Sequence, residues 1–223
     1  MLITLAILPA IIGLVIVYML DRHREPPLYV AGLFILGALV VLPAGLFERT
    51  LLDAYSAAPD MPTGYLATLL TAFFVAGAVE ETCKGVVFWR FVYHKPVFDE
   101  PYDGVVYAVA IGLGFAAVEN VLYVTSSGIT TAFVRAFTAV PGHALFGVVM
   151  GSAFARAKFY GGSYRKAFWL PAILHGTYDA FALAQGFVSN MLLIAYLMWL
   201  VRFAYYQALP LHGRQSQGSP LAH

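Results

Sequence analysis

The sequence predicts an all-α fold, a polytopic membrane bundle of about seven transmembrane helices. Of 223 residues, 61% are hydrophobic and 11% charged, a balance far outside that of soluble domains. Mean hydropathy is +0.76. Apolar runs recur that are long enough to cross a hydrocarbon layer of ~30 Å, which takes about 20 helical residues. Finally, Lys and Arg gather in alternate connectors between those runs.

The expected spans lie near 1–20, 28–47, 65–89, 104–124, 131–155, 167–185 and 187–206. The first has no basic segment before it, and Asp21, Arg22 and Arg24 follow without a small-residue cleavage site, so it reads as a retained span. The third carries Glu80, Glu81 and Lys84 inside an apolar run. The fourth holds Gly112-x-Gly114 and Glu119-Asn120, and the fifth holds Arg135, Pro141-Gly142-His143 and Gly147-x-x-x-Gly151. No strand precedes these glycines, so they read as close-packing surfaces rather than nucleotide loops. Arg135, near the outer end of its helix, is expected to snorkel to the interface. The sixth span carries His175 and Asp179, and the seventh closes the bundle. Residues 1–206 then form one transmembrane domain, and 207–223 a polar, disordered tail.

Arg22, Arg24, Arg90, Lys95, Arg156, Lys158, Arg165, Lys166, Arg202 and Arg214 fall on one set of alternate connectors and the C-terminal end, whereas the other connectors hold only Arg49. The positive-inside rule then places the N-terminus outside and the C-terminus in the cytoplasm. A net charge of +1 and the lack of a basic-aromatic run argue against a nucleic-acid partner. The lone Cys83 excludes an intrachain disulfide and reads as helix filler.

The intramembrane polar residues carry the function. Each charge within a span costs ~2.5–3.5 kcal/mol on insertion scales and needs a reason. With Arg90 and Lys166 marking the cytoplasmic interface, a rise of ~1.5 Å per residue puts Glu80, Glu81 and His175 about 14 Å deep. His143 and Asp179 come out about 20 Å deep, and Glu119 somewhat deeper. Lys84 stands one helical turn from both glutamates, so it can compensate their repulsion. His175 and Asp179 share one face at i, i+4, where the carboxylate can orient the imidazole. The alternative for each residue is structural. Asn120 suits a helix–helix hydrogen bond, His143 can satisfy a carbonyl freed where Pro141-Gly142 weakens its helix, and Lys84 can snorkel. Together the groups supply a base, an imidazole, and donors for a metal or an oxyanion, a set suited to hydrolysing a peptide bond inside the membrane.

H-E-x-x-H is absent, Tyr178-Asp179 has no Gly-x-Gly-Asp companion, and Ser152 lacks a Gly-x-Ser-Gly setting. A glutamate-centred site remains. The segments "EETCK", "FAAVEN", "RAFTAVPGHALFG" and "HGTYD", in order on successive spans from about residue 77 to 182, resemble the four motifs of the PrsW family of intramembrane proteases. That family is similar, more distantly, to the CAAX prenyl endopeptidases and bacteriocin-processing membrane proteases. The resemblance implies a protease in a bacterial or archaeal cell membrane, acting on a membrane-anchored protein such as an anti-sigma factor. It makes Glu80 the water-activating carboxylate, with Glu81 and His175 catalytic beside it and Lys84 and Asn120 in support. Where the prenyl endopeptidases end the F-x-x-x motif in His, this chain has Glu119, and His143 follows on the next span. Either His143 replaces that imidazole in a metal-free mechanism, or Glu119, His143, His175 and Asp179 hold a divalent metal, zinc first. An ion- or proton-coupled transporter and a non-catalytic scaffold are the competing classes. The lack of an inverted repeat argues against the first, and the complete set of acid, base and imidazole positions argues against the second.

Overall fold

The computed structural model describes residues 2–214, and every regular element in that range is helical. Helices α1 (Leu2–Leu20) and α2 (Pro27–Ala57) are followed by α3 (Gly64–Tyr93) and α4 (Asp103–Ser127). A short α5 (Ile129–Phe137) leads into α6 (Ala139–Tyr160), and α7 (Lys166–Ala184) and α8 (Phe187–Arg214) complete the chain. Taking α5 and α6 as one crossing gives seven, as expected. Six of the crossings are long and apolar enough to span a membrane on their own. The other, α7, owes its lower hydropathy to Lys166, His175 and Asp179.

Helix α4 is the central post, and its residues from Asp103 through Ala117 are all buried. Helices α1, α2 and α6 wrap it, while the other faces of α1, α2 and α8 leave Ile16, Leu28, Leu46 and Met198 exposed toward lipid. Wrapping this tight depends on small residues. A Cβ on Gly114 would collide with the Phe34 carbonyl, one on Gly37 with that of Ile111, and one on Gly151 with that of Gly104. Added Cβ atoms on Gly112 and Gly147 would each come within 2.9 Å of backbone on the neighbouring helix. The glycine patterns are therefore close-packing surfaces, the usual source of helix association where lipid removes the hydrophobic drive.

Three local features differ from expectation. Helix α2 continues past 47 to Ala57, carrying Glu48 and Arg49 within the helix. The fifth crossing is interrupted at Thr138 (φ −121°, ψ −69°), not at Pro141-Gly142. Proline fits the first turn of α6, where its missing N–H costs little, so the helix resumes through Pro141 and carries His143 in regular geometry. Helix α8 runs on to Arg214, beyond the point at which a tail was expected. The rest of that tail, 215–223, lies outside the described residues.

At the Arg22/Lys95 end of the bundle, connectors are tied to the post by buried carboxylates. Asp103 Oδ2 accepts from the amides of Asp99 (3.1 Å) and Glu100 (2.6 Å). The Tyr107 hydroxyl donates to Glu25 in the α1–α2 connector. Burial pushes the Glu25 carboxyl above the usual carboxylate range, against the lowering effect of Tyr107.

The connectors alternate as the Lys and Arg distribution requires, so the orientation is open to direct test. Reporter fusions after Arg24, Lys95 and Arg165 should all read cytoplasmic. An external signal from any of them would invert or break the assignment.

Candidate functional site

The site forms where α3 leaves regular α-helical geometry. Residues Thr71–Gly77 wind as a π-helix, and Ala78–Phe88 resume the α-helix, carrying Glu80, Glu81 and Lys84 in their first turns. Wide turns of this kind recur at functional sites because they re-aim the side chains that follow. Just there α3 meets α7 at closest approach. A Cβ on Gly77 would lie 2.6 Å from the Ala172 carbonyl oxygen, and one on Gly176 would lie 2.5 Å from the Phe73 ring. Two glycines thus let the backbones touch and bring His175 against the glutamate pair.

Lys84 stands at the centre. Its ammonium donates to Glu80 Oε2 (2.9 Å) and Glu81 Oε1 (2.7 Å) and lies 3.1 Å from His143 Nδ1. It also sits 4.0 Å from the centroid of the Phe115 ring. Lys84 is 2% exposed and its ammonium is held by both glutamates, so it does not snorkel. An ammonium shared between two carboxylates offsets the repulsion that would otherwise push one of them out of its charged form.

The two imidazoles are each held at both nitrogens. His175 Nδ1 lies 2.9 Å from Glu81 Oε1 and 3.8 Å from Glu80 Oε2, and its Nε2 lies 3.5 Å from Asp179 Oδ2. Phe146 stacks on the His175 ring at 4.7 Å. His143 Nε2 lies 2.8 Å from Glu119 Oε2, and the two imidazole centroids are 5.1 Å apart. Carboxylates beside imidazoles fix their orientation and tautomer.

Asn120 is a helix–helix connector: its amide donates to the Ala6 carbonyl (3.3 Å) and its oxygen accepts from Arg135 Nε (2.6 Å). Arg135 itself turns inward rather than to the interface, pairing with Glu119 at 2.8 Å and lying 4.0 Å from the Tyr123 ring centroid. The inward turn is electrostatic: Glu119 and Asn120 offer acceptors at the depth where α5 ends.

Next to this cluster is a cavity of about 420 Å³. Glu80, Glu119, His143, His175, Asp179 and Arg135 line it, with Glu48 and Leu52 of α2 and Leu183 of α7. Glu81 and Lys84 stand behind the wall, so Glu80 is the member of the pair that reaches the open space. All the residues singled out by spacing are therefore gathered at one place, but not in the expected metal grouping. Donor atoms of Glu80, Glu81, His143 and His175 lie within 4.8 Å of one another. Glu119 and Asp179 stand outside that set, each against the far nitrogen of one imidazole. Helical spacing gives depth but not azimuth, which is why the grouping was not legible. Glu48 and Arg135 were also missed. The period Val41, Gly45, Glu48, Leu52 along α2 is the sequence signal that could have placed Glu48 on the cavity side.

A sequence profile described as PrsW family intramembrane metalloprotease matches residues 25–206. The protein named Protease PrsW of Oceanobacillus iheyensis is 37% identical over 202 residues, covering 87% of this chain and 89% of that protein. Its namesake in Geobacillus kaustophilus is 38% identical over 207 residues, 89% of this chain and 88% of that protein. The one in Bacillus subtilis is 33% identical over 205 residues, 88% and 90% respectively. No solved structure matches the chain.

Proposed function

This chain belongs to the PrsW family of intramembrane metalloproteases, and on that premise we propose that it cuts a membrane-anchored regulatory protein, of the anti-sigma-factor kind, using Glu80 as the base that activates water. The observation that carries this reading is the position of Glu80. It is the one carboxylate of the buried pair that lines the cavity, and it does so beside both imidazoles. The relatives are bacterial, which supports a bacterial cell membrane as the location.

Each residue then has a defined task. Glu80 takes the proton from a water in the cavity as that water attacks the substrate carbonyl, and returns it to the leaving amine. His143 and His175 face the same space and stabilise the negative charge that develops on the carbonyl oxygen. Glu81 holds Lys84 and His175 in place from behind the wall. Glu119 and Asp179 orient the two imidazoles. The lining reaches Leu52 and Leu183, toward the ends of α2 and α7 that the positive-inside rule assigns to the outside, and Arg135 of α5, the helix that enters from that side. Access from that side supports a cut near the extracytoplasmic face of the substrate's span.

The donor chemistry also fits a divalent metal. Two imidazole nitrogens and a carboxylate oxygen, from His143, His175 and Glu81, are a ligand set that catalytic zinc takes. Bound there, a zinc ion would supply Lewis-acid polarisation of the substrate carbonyl. Glu80 would remain the base. Lys84, which now bonds Glu81 and touches His143, competes for the same electron pairs, so the ion and the ammonium cannot both keep those contacts.

Metal analysis and turnover of one purified preparation test the reading together. A divalent ion should copurify at about one per chain, chelation should stop cleavage of a tagged single-span protein, and zinc should restore it. His143→Ala should lose both ion and activity. Active protein that carries no ion and ignores chelators would reject the metal and leave the carboxylate and imidazoles to work alone.

A further inference from the structure

Glu48 is a carboxylate in the cavity wall that none of the steps above uses. Its Oε1 is shut off from solvent and has no hydrogen-bond partner among the described residues, and the residue lines the same cavity as Glu80, His143 and His175. The neighbouring wall does not relieve it. Arg135, the cation in the lining, is engaged by Glu119 and Asn120, and Lys84 is engaged by the glutamate pair and His143. A buried acceptor left unpaired is costly, and such groups persist where a partner arrives during function.

The arriving chemistry follows from the reaction. A transmembrane substrate enters as a helix with every backbone N–H paired, and its peptide bond becomes accessible only when a few residues unwind. Unwinding frees N–H groups in a place where water is scarce, so each needs an acceptor from the protein. We propose that Glu48 is a substrate-docking residue, its carboxyl group turning to accept a hydrogen bond from a backbone N–H of the unwound peptide and holding the strand against α2 in the cavity that Glu80 also lines. This rests on the proteolytic reading of the site, and it assigns α2 as the wall against which the peptide is laid. The apolar cavity residues on the same helix, Val41, Leu42 and Leu52, offer side-chain contact on either side of that bond.

The role separates from acid–base chemistry by what each substitution keeps. An amide still accepts a hydrogen bond through its carbonyl but carries no exchangeable proton of carboxylic character, and a methyl group does neither. The probe is a fluorescent single-span Leu/Ala peptide with a central Gly-Gly pair, in nanodiscs. Its Kd is measured on the Glu80→Gln chain with no second change, with Glu48→Ala and with Glu48→Gln. Glu48→Ala should weaken binding about tenfold, equal to ~1.4 kcal/mol, and Glu48→Gln should recover most of it. In the chain with Glu80 intact, Glu48→Ala should raise KM by a similar factor with kcat within about threefold, the pattern of lost binding that is shared by ground and transition states. Because it removes a carboxyl whose Oε1 is inaccessible and unpaired, Glu48→Ala should not lower the thermal midpoint, which excludes misfolding as the cause. Unchanged Kd in Glu48→Ala would overturn the proposal, as would a kcat loss in Glu48→Gln equal to that in Glu48→Ala. Should the chain prove not to cleave peptides at all, the binding arm still reports on Glu48, so the two failures remain distinguishable.

Discussion

Glu80→Gln should reduce cleavage by about 10²- to 10⁴-fold while the protein remains inserted and folded. The amide keeps the outline of the carboxylate and its hydrogen bond from Lys84, which stands 2.9 Å from Oε2, but it cannot take a proton from water. Glu81→Gln should behave differently. Glu81 is 1% exposed and does not line the cavity, so its loss should act through His175 and Lys84, whose contacts at 2.9 and 2.7 Å it anchors, and through the ion it would help to hold, rather than on the water directly. Initial rates on one tagged single-span protein, normalised to folded protein in the membrane, check the contrast. Near-normal cleavage by Glu80→Gln would remove it as the base.

The largest effect on stability is expected at Lys84. Lys84→Ala leaves two carboxylates facing each other in a site where both are nearly inaccessible, 5% and 1% exposed for Glu80 and Glu81. Breaking a buried ion pair by removing one partner costs about 3–5 kcal/mol, because the charge left behind is uncompensated. The same substitution in a Glu80→Gln, Glu81→Gln background should cost much less, since no charge is then stranded. Thermal unfolding of the four proteins in one detergent gives the coupling directly. Equal losses in both backgrounds would mean that Lys84 is held by packing against Phe115, 4.0 Å away, and not by charge.

Much of the bundle could be read from composition because a membrane imposes its own rule. Only helices satisfy every backbone group within one segment, so a run of apolar residues such as 104–124 has a single structural solution. The alternating Lys and Arg gave the same seven crossings that the structure contains. Helix ends were less legible. Glu48 and Arg49 made 47 look like the end of α2, although the helix continues to Ala57 with an exposed Arg49–Asp53 pair one turn apart at 3.9 Å. The break at Thr138 was misplaced to Pro141-Gly142 because proline reads as an interruption unless one knows that it stands in a first turn.

That six polar residues from four helices come together was legible from depth, whereas Glu48 and Arg135 beside them were not. Glu80, Glu81, Glu119, His143, His175 and Asp179 shared a layer, and a buried polar group in lipid needs partners. Their pairing was not, because it depends on how each helix is rotated. Gly77 and Gly176 set that rotation by letting α3 and α7 touch, and the π-helical turns at Thr71–Gly77 re-aim Glu80. The consequence is that His175 meets Glu81 on another helix as well as Asp179 on its own. Arg135 was misread for the same reason: its sequence position suggested the interface, while Glu119 and Asn120, one helix away, draw it inward.

The most direct measurement is mass spectrometry of a single-span substrate incubated with proteoliposomes in H₂¹⁸O. Hydrolysis at a peptide bond within the span should yield two complementary fragments, with one ¹⁸O in the new carboxyl group, and the same reaction with Glu80→Gln should leave the substrate intact over the same time. Fragments that appear equally with Glu80→Gln, or a cut that falls only outside the membrane-spanning segment, would contradict a Glu80-driven intramembrane protease.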